Sequence, residues 1–302
     1  MSRPPERPEA LRGKFFLARR VIEVGLLTVK QLRSRAWTRL FQGVYVDATV
    51  RITHGLRCAA AAAYLLPRAA VIAGRSAAWV HGVGLSDPLD PVEALVRRHD
   101  YAAQHVGVIV HRGMLTADEC RRIRGLVVTS PVRTCWDLAR WLDVVEAVVL
   151  VDRMLQTKQV TPAQLTAYLR KRKEDRNERG WQRFARVVEL ADERAESPMD
   201  SRLRVRLVLA GLPSPQPQFV ILDADGRFVA RVDLAWAEYR VAAEYDGAWR
   251  VGSAGQLGHD RRRLNGITLA EWTVIHVTSE RLHGDFDGLV AEITKAMRIS
   301  SW

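Results

Sequence analysis

Arg231-Val-Asp-Leu-Ala-Trp-Ala-Glu-Tyr-Arg-Val-Ala-Ala-Glu-Tyr-Asp-Gly247 decides how the C-terminal part of the chain is read. The stretch predicts two β-strands, Phe228 to Trp236 and Tyr239 to Asp246, folded back antiparallel by a turn at Ala237-Glu238. Asp233 and Glu244 stand eleven residues apart, a spacing that a tight turn converts into a common level. Side chains alternate faces along a strand, so Glu244 and Asp246 share a face and Tyr245 points the other way. Three carboxylates gathered at a strand end repel one another unless a cation sits between them. Mg²⁺, which takes one or two carboxylates together with waters and a phosphate, meets that need. Solvated strand-end acids are the simpler alternative.

Around this hairpin the expected order is helix, three-stranded meander, helix, strand. A helix from about Arg186 to Ala210 carries Glu196. Gln218 to Leu222 opens the meander, and Asp223-Ala-Asp-Gly226 supplies its first turn, with Gly at a φ > 0 position. Gln256 to Leu269 is the second helix and Trp272 to Val277 the last strand. Three features, Asp233, then Glu244-Tyr-Asp-Gly247, then His259-Asp-Arg-Arg-Arg-Leu264 with Leu269-Ala-Glu-Trp-Thr-Val274, resemble the very-short-patch-repair (Vsr-like) branch of the PD-(D/E)XK nucleases. The likeness covers roughly the last third of the chain. Asp246 stands where the superfamily's lysine is usual, and Trp249-Arg250 where relatives often carry a histidine; His259 lies further along.

That resemblance implies a metal-dependent DNA endonuclease. Asp233, Glu244 and the main-chain carbonyl of Tyr245 would hold Mg²⁺ (or Mn²⁺), which lowers the pKa of a bound water and neutralises the scissile phosphate. Glu196 would orient a water or a second ion, and Asp246 would act as a ligand or accept the water's proton. Arg261, Arg262 and Arg263 would grip flanking phosphates or stabilise the transition state. The products implied are 5′-phosphate and 3′-hydroxyl ends.

Composition sets the wider bounds. The 302 residues suffice for two or three domains with real cores. No apolar run reaches the ~18 residues that a membrane span needs, and the polar, proline-rich start lacks a secretory h-region. Cys58, Cys120 and Cys135 are odd in number and scattered, which reads as reduced thiols of a cytoplasmic protein. A net charge of +12 favours a polyanionic partner, DNA first. Of 46 basic and 34 acidic residues, 31 and 17 fall in residues 1–185, so the excess belongs to the front. An arginine-rich composition inherited from a GC-rich genome would give the same total.

The front of the chain predicts two short helices and a ribbon. Lys14 to Glu23 reads as an amphipathic helix with Phe15 and Phe16 inside. Thr28 opens a second helix, running to about Arg35, with Gln31 completing a capping box. Trp37 to Val46 gives two strands about a turn at Gln42-Gly43. This layout is that of a winged helix-turn-helix. Gly25-Leu-Leu-Thr-Val-Lys-Gln-Leu32, Arg39-Leu-Phe-Gln-Gly-Val-Tyr45 and Ser76-Ala-Ala-Trp-Val-His-Gly82 resemble AbiEi-type abortive-infection antitoxins. The resemblance implies operator binding by the winged part, with Arg33, Arg35 and Arg39 on the helix and ribbon that meet phosphate and groove.

Further on, the expectations are a helix over Thr53 to Leu66, a serine-initiated helix at Ser76, and strands at Val92 to Val96, Val106 to His111 and Leu126 to Thr129. Pro131 begins a helix in which Arg133 and Asp137 can pair at i,i+4. Val144 to Leu155 and Pro162 to Lys171 complete the helical part. Lys171-Arg-Lys-Glu-Asp-Arg-Asn-Glu-Arg179 has no apolar residue and reads as the hinge.

The whole is expected to be an α+β and α/β multidomain protein. Its expected parts are a disordered tail (1–12), a winged helix-turn-helix (13–50), an AbiEi-like middle domain (51–170), a charged linker (171–185) and a PD-(D/E)XK restriction-endonuclease-like domain (186–302). A DNA endonuclease is the first functional expectation. A catalytically inactive DNA-binding regulator, or an antitoxin-like protein with a relic nuclease domain, is the alternative. A homodimer and a toxin partner stay open.

Overall fold

The computed structural model describes residues 7–174, 179–246 and 263–299. It is a mixed α/β multidomain architecture with three sheets. Contacts gather the chain into two compact units. One comprises Met1–Trp141 and Ala163–Trp181, the other Leu142–Pro162 and Gln182–Trp302.

The first unit opens with a three-stranded sheet of β1 (Phe15–Leu17), β2 (Trp37–Phe41) and β3 (Val44–Asp47) in the order β1-β3-β2. Phe15 to Leu17 was expected in a helix. Instead these residues pair antiparallel with Leu17 opposite Val44. Aromatic side chains fit a pleated surface, and Phe16 packs edge-on against Trp37 at 5.1 Å. Only Ala18–Glu23 (α1) is helical. α2 (Val29–Leu32) starts at the expected capping box, where Gln31 N–H donates to Thr28 Oγ1 at 3.2 Å and Thr28 N–H to Gln31 Oε1 at 2.7 Å. It stops at Leu32, earlier than the expected Arg35.

Behind this ribbon lie α3 (His54–Tyr64), capped by Thr53, and a five-stranded sheet. Its strands are β4 (Val71–Ile72), β5 (Val92–Arg97), β6 (Val108–Gly113), β7 (Cys120–Ile123) and β8 (Leu126–Thr129), in the order β6-β5-β4-β8-β7. Leu40, Phe41, Val44 and Val46 share one core with Cys58, Ala61, Ile72, Val92 and Val128, so ribbon, helix and sheet pack as one body. α4 (Gly74–Val80) begins two residues before the expected Ser76. The reason is visible: Ser76 turns inward, accepting from Glu93 N–H and bonding His54, both at 2.8 Å, and is unavailable as a cap. α5 (Pro131–Trp141) and α7 (Pro162–Glu174) follow, so residues 171–174 of the expected hinge continue a helix; 175–178 lie outside the described residues.

The second unit holds α6 (Val144–Gln156), α8 (Trp181–Leu190), α9 (Pro198–Leu209) and a four-stranded sheet. The single helix expected over 186–210 is two. Pro198 lacks an N–H donor and takes the N1 position of α9, behind a Ser197–Asp200 capping box. Glu196 therefore sits between helices. α6 is tied to this unit by Asp152, which accepts from Asp192 N–H, Ser201 Oγ and Arg204 Nη2, each at 2.7 Å.

The sheet contains β9 (Gln216–Leu222), β10 (Phe228–Trp236), β11 (Val241–Asp246) and β12 (Thr273–Thr278), in the order β12-β11-β10-β9. β9 to β11 form the antiparallel meander, and β11 pairs parallel with β12. Residues 263–269 are helical (α10). Leu203, Leu207, Leu234, Ile275, Leu289 and Ile293 build the core on one face of the sheet; after the short α11 (Ser279–Gly284), α12 (Phe286–Ile299) contributes the last two. Ile221, Val232, Ala242 and Ile267 of α10 build the core on the other.

Candidate functional site

Leu234 pairs with Ala243, so one step along the ladder brings Asp233 level with Glu244. Asp233 Oδ2 accepts the Tyr245 N–H at 2.9 Å. Glu244 is only 5% exposed. Its Oε1 accepts from Arg263 Nη2. Its Oε2 has no hydrogen-bond partner among the described residues and lies 4.0 Å from His276 Nδ1. Asp246 Oδ2 stands 3.1 Å from the same nitrogen. The parallel ladder explains this, since His276 is Glu244's partner on β12.

Glu196 is elsewhere engaged. Its carboxylate pairs with Arg231 at 3.0 Å, both side chains about half exposed. A residue that the sequence reading passed over lies nearer: Asp200. Burial raises its carboxyl above the usual range, and the charges of Asp233 and Glu196 push it further. In the sequence Asp200 lay inside the single helix expected over 186–210; the structure places it at the start of α9, where it completes the Ser197 capping box. His276 was missed because an alternating strand gives a lone histidine no signal. Arg261 and Arg262, with Trp249-Arg250 and His259, lie outside the described residues.

A Mg²⁺ or Mn²⁺ ion would need carboxylate oxygens that point at one place. Here Glu244 gives one to Arg263, Asp233 gives one to a backbone N–H, and Tyr245 contributes a donor. Among the described residues no group of three or more His, Cys, Asp or Glu side chains is arranged to hold a metal ion.

The front ribbon presents a different surface. Arg33, just after α2, and Arg35 and Arg39, the last on β2, are exposed and make no ion pair among the described residues. One cluster in the middle of the first unit turns its charge inward. Arg133, with no exposed surface, donates to Asp137 Oδ1 at 3.0 Å and Glu119 Oε2 at 2.7 Å. Glu119 also accepts from Tyr168 Oη at 2.6 Å and from Arg172. The expected Arg133–Asp137 pair is thus one part of a larger network.

The fold and these surfaces describe a protein with an exposed cationic ribbon and a buried ion-pair network behind it. A family model described as the AbiEi antitoxin C-terminal domain matches residues 68–190. The chain is also similar to two uncharacterized proteins of Mycobacterium tuberculosis, from strains CDC 1551 / Oshkosh and ATCC 25618 / H37Rv. Each is 29% identical over 191 residues, covering 63% of this chain and 68% of theirs. No solved structure matches. No helix of the described residues is long and apolar enough to cross a membrane.

Proposed function

We propose that the chain is a DNA-binding regulator of the antitoxin type. The observation that carries this reading is the AbiEi antitoxin match over residues 68–190. The match follows, in the chain, a two-helix ribbon module whose Arg33, Arg35 and Arg39 are exposed and make no ion pair among the described residues. On this reading α2 and the β2–β3 ribbon are a winged helix-turn-helix. Arg33, Arg35 and Arg39 contact phosphate and groove, fixing the register of the protein on operator DNA. The body behind them serves a toxin partner or holds the DNA-binding module in place. Footprinting of DNA upstream of the protein's own coding region tests it: protection by the wild type should disappear in Arg33→Ala/Arg35→Ala/Arg39→Ala. Absence of protection by the wild type, or protection that survives the substitutions, ends the reading.

A metal-dependent DNA endonuclease is the second reading. What favours it is the register that levels Asp233 with Glu244, on a sheet whose parallel pair β11–β12 flanks α10. It requires Arg263 to leave Glu244 before a Mg²⁺ or Mn²⁺ ion can enter. Nicking of supercoiled DNA by the purified chain with Mn²⁺, lost in Asp233→Ala and Glu244→Ala, would support it. Equal cleavage by wild type and variants, or none, removes it.

A further inference from the structure

The five-stranded sheet of the first unit has two unlike ends. β4 and β8 run one way, while β5, β6 and β7 run the other. The registers align Val71 with Leu95, Ile72 with Val128, Arg97 with Gly113 and Ile123 with Leu126. Carried outward, they bring five chain segments to one level. These are the residues just before Val71, the end of β5, the end of β6, the end of β7 and the turn Arg124-Gly125. That end carries Arg68, Arg97, Arg98, Arg112, Arg122 and Arg124, all exposed. None of the six makes an ion pair among the described residues. Asp100 is the acid nearest this end in sequence, and it offers its main-chain carbonyl to Arg112 Nη1. The opposite end, where β5 and β7 begin, is preceded by Asp90 and by Asp118-Glu119. There Lys171 lies 3.7 Å from Asp118.

Adjacent strands lie about 4.8 Å apart, so five strands spread these arginines over roughly 19 Å. A row of exposed cations of that width, without ion pairs among the described residues, suits an extended polyanion. Arg124 adds a second sign. It occupies the first position of a two-residue hairpin turn with φ +49°, followed by Gly125 at φ +82°. Asn or Gly is favoured there, and an arginine breaks the local rule with no packing gain visible.

We propose that this arginine end of the sheet is a second contact surface for the DNA phosphate backbone, separate from the front ribbon. The proposal rests on the DNA-binding reading above. Phosphate contacts carry no sequence information, so the surface adds affinity and salt dependence to whatever the ribbon reads. The test measures binding of the full chain to two duplexes across a range of salt, one from upstream of its own coding region and one unrelated. The triple variant Arg68→Ala/Arg97→Ala/Arg124→Asn keeps a residue that tolerates the left-handed backbone at 124. Each lost phosphate contact lowers the slope of log K against log salt by about 0.9, so the triple variant should lose roughly 2 to 3. Affinity should fall about equally on both duplexes, while Lys171→Ala, at the other end, leaves the slope in place. Should the triple variant fold poorly, Arg68→Gln and Arg97→Gln singly should each lower the slope by about 1. An unchanged slope overturns the proposal. If Arg33→Ala/Arg35→Ala/Arg39→Ala weakens binding while the triple variant does not, the regulator reading survives alone. If the wild type binds neither duplex, both fall. Slope-dependent binding to RNA but not to duplex DNA also overturns it.

Discussion

Two clusters of charge, one in each unit, solve the same problem differently. In the first unit Arg133 is wholly buried between Glu119 and Asp137, and Glu119 collects Arg172 and Tyr168 as well. Every carboxylate there meets a guanidinium fixed on a helix, α5 or α7. In the second unit Glu244 is also buried, and among the described residues it is held by one arginine, from the start of α10, and one of its oxygens has no hydrogen-bond partner. The first cluster spreads its two carboxylates over two arginines and a tyrosine, and that redundancy reads as structure. The second rests, among the described residues, on one partly exposed arginine, and that is how a group behaves whose partner is exchangeable. A buried ion pair is weak support for stability, but removing one member leaves the other uncompensated.

The largest test of that contrast is therefore Arg133→Met. It takes the Arg133 guanidinium from Asp137 and one of two guanidiniums from Glu119, and should cost about 3–5 kcal/mol in urea unfolding followed by tryptophan fluorescence. A loss under about 1 kcal/mol would mean that the network is not what holds α5 and α7. Arg263→Met should cost less, about 2–3 kcal/mol, because the Arg263 side chain is 27% exposed and water can enter in its place. The double variant Arg263→Met/Glu244→Gln should recover part of that loss, since it removes both members of the pair. If Mn²⁺ raises the melting temperature of Arg263→Met and not that of the wild type, the arginine stands where a cation can stand. If neither responds, the cluster is closed like the first and the contrast fails.

A pH titration sharpens the picture of the first unit. His111 stacks on Trp141 with ring centroids 3.4 Å apart. Burial, then the charges of Arg140 and Arg75, lower its pKa from 6.5 to about 4, although Glu93 lies 3.9 Å away. The depressed value means that the unfolded chain binds the proton more readily. The stability in question is complete above pH 6.5 and is lost as pH falls toward 4. Allowing for the partial exposure of the ring, the loss should be about 1–2 kcal/mol. His111→Phe keeps the stack and should flatten the difference between melts at pH 7 and pH 4.5.

How much of this was legible depended on where the signal lay. The meander β9–β11 and the strand β12 could be read because alternation and turn residues are local. The Asp233–Glu244 level followed from a spacing across one turn. The Thr28 capping box and the Gln42-Gly43 turn were local too. What escaped reading is non-local. Phe15 to Leu17 has helical spacing, yet it joins a sheet because β3 offers it a partner 29 residues later. The attachment of α6 to the second unit hangs on Asp152 meeting Ser201 and Arg204 across about fifty residues. His276 enters the acidic cluster only through a parallel register, which no sequence period announces. Arg263 was expected to face DNA phosphate, and its contact with Glu244 depends on how α10 packs over the sheet.

The smallest expected effect falls on Glu196, and it separates the two ways of reading the second unit. If Glu196 belongs to the cluster, its loss should alter what Asp233 and Glu244 do. If it is a surface partner of Arg231, its loss should alter almost nothing. The pair is half exposed on both sides, and exposed ion pairs are worth about 0–1 kcal/mol. Glu196→Ala should therefore shift stability by under about 0.5 kcal/mol. Asp200 offers the counter-case. It is 6% exposed, raised in pKa first by burial and then by Asp233's charge, and bonded to Ser197 N–H at 2.9 Å. Asp200→Ala should cost about 1 kcal/mol or more through the lost cap alone. Should Glu196→Ala prove the costlier of the two by denaturant melts, the cluster has been drawn around the wrong acid. The site would then have to be rebuilt outward from Arg231 rather than from the end of β11.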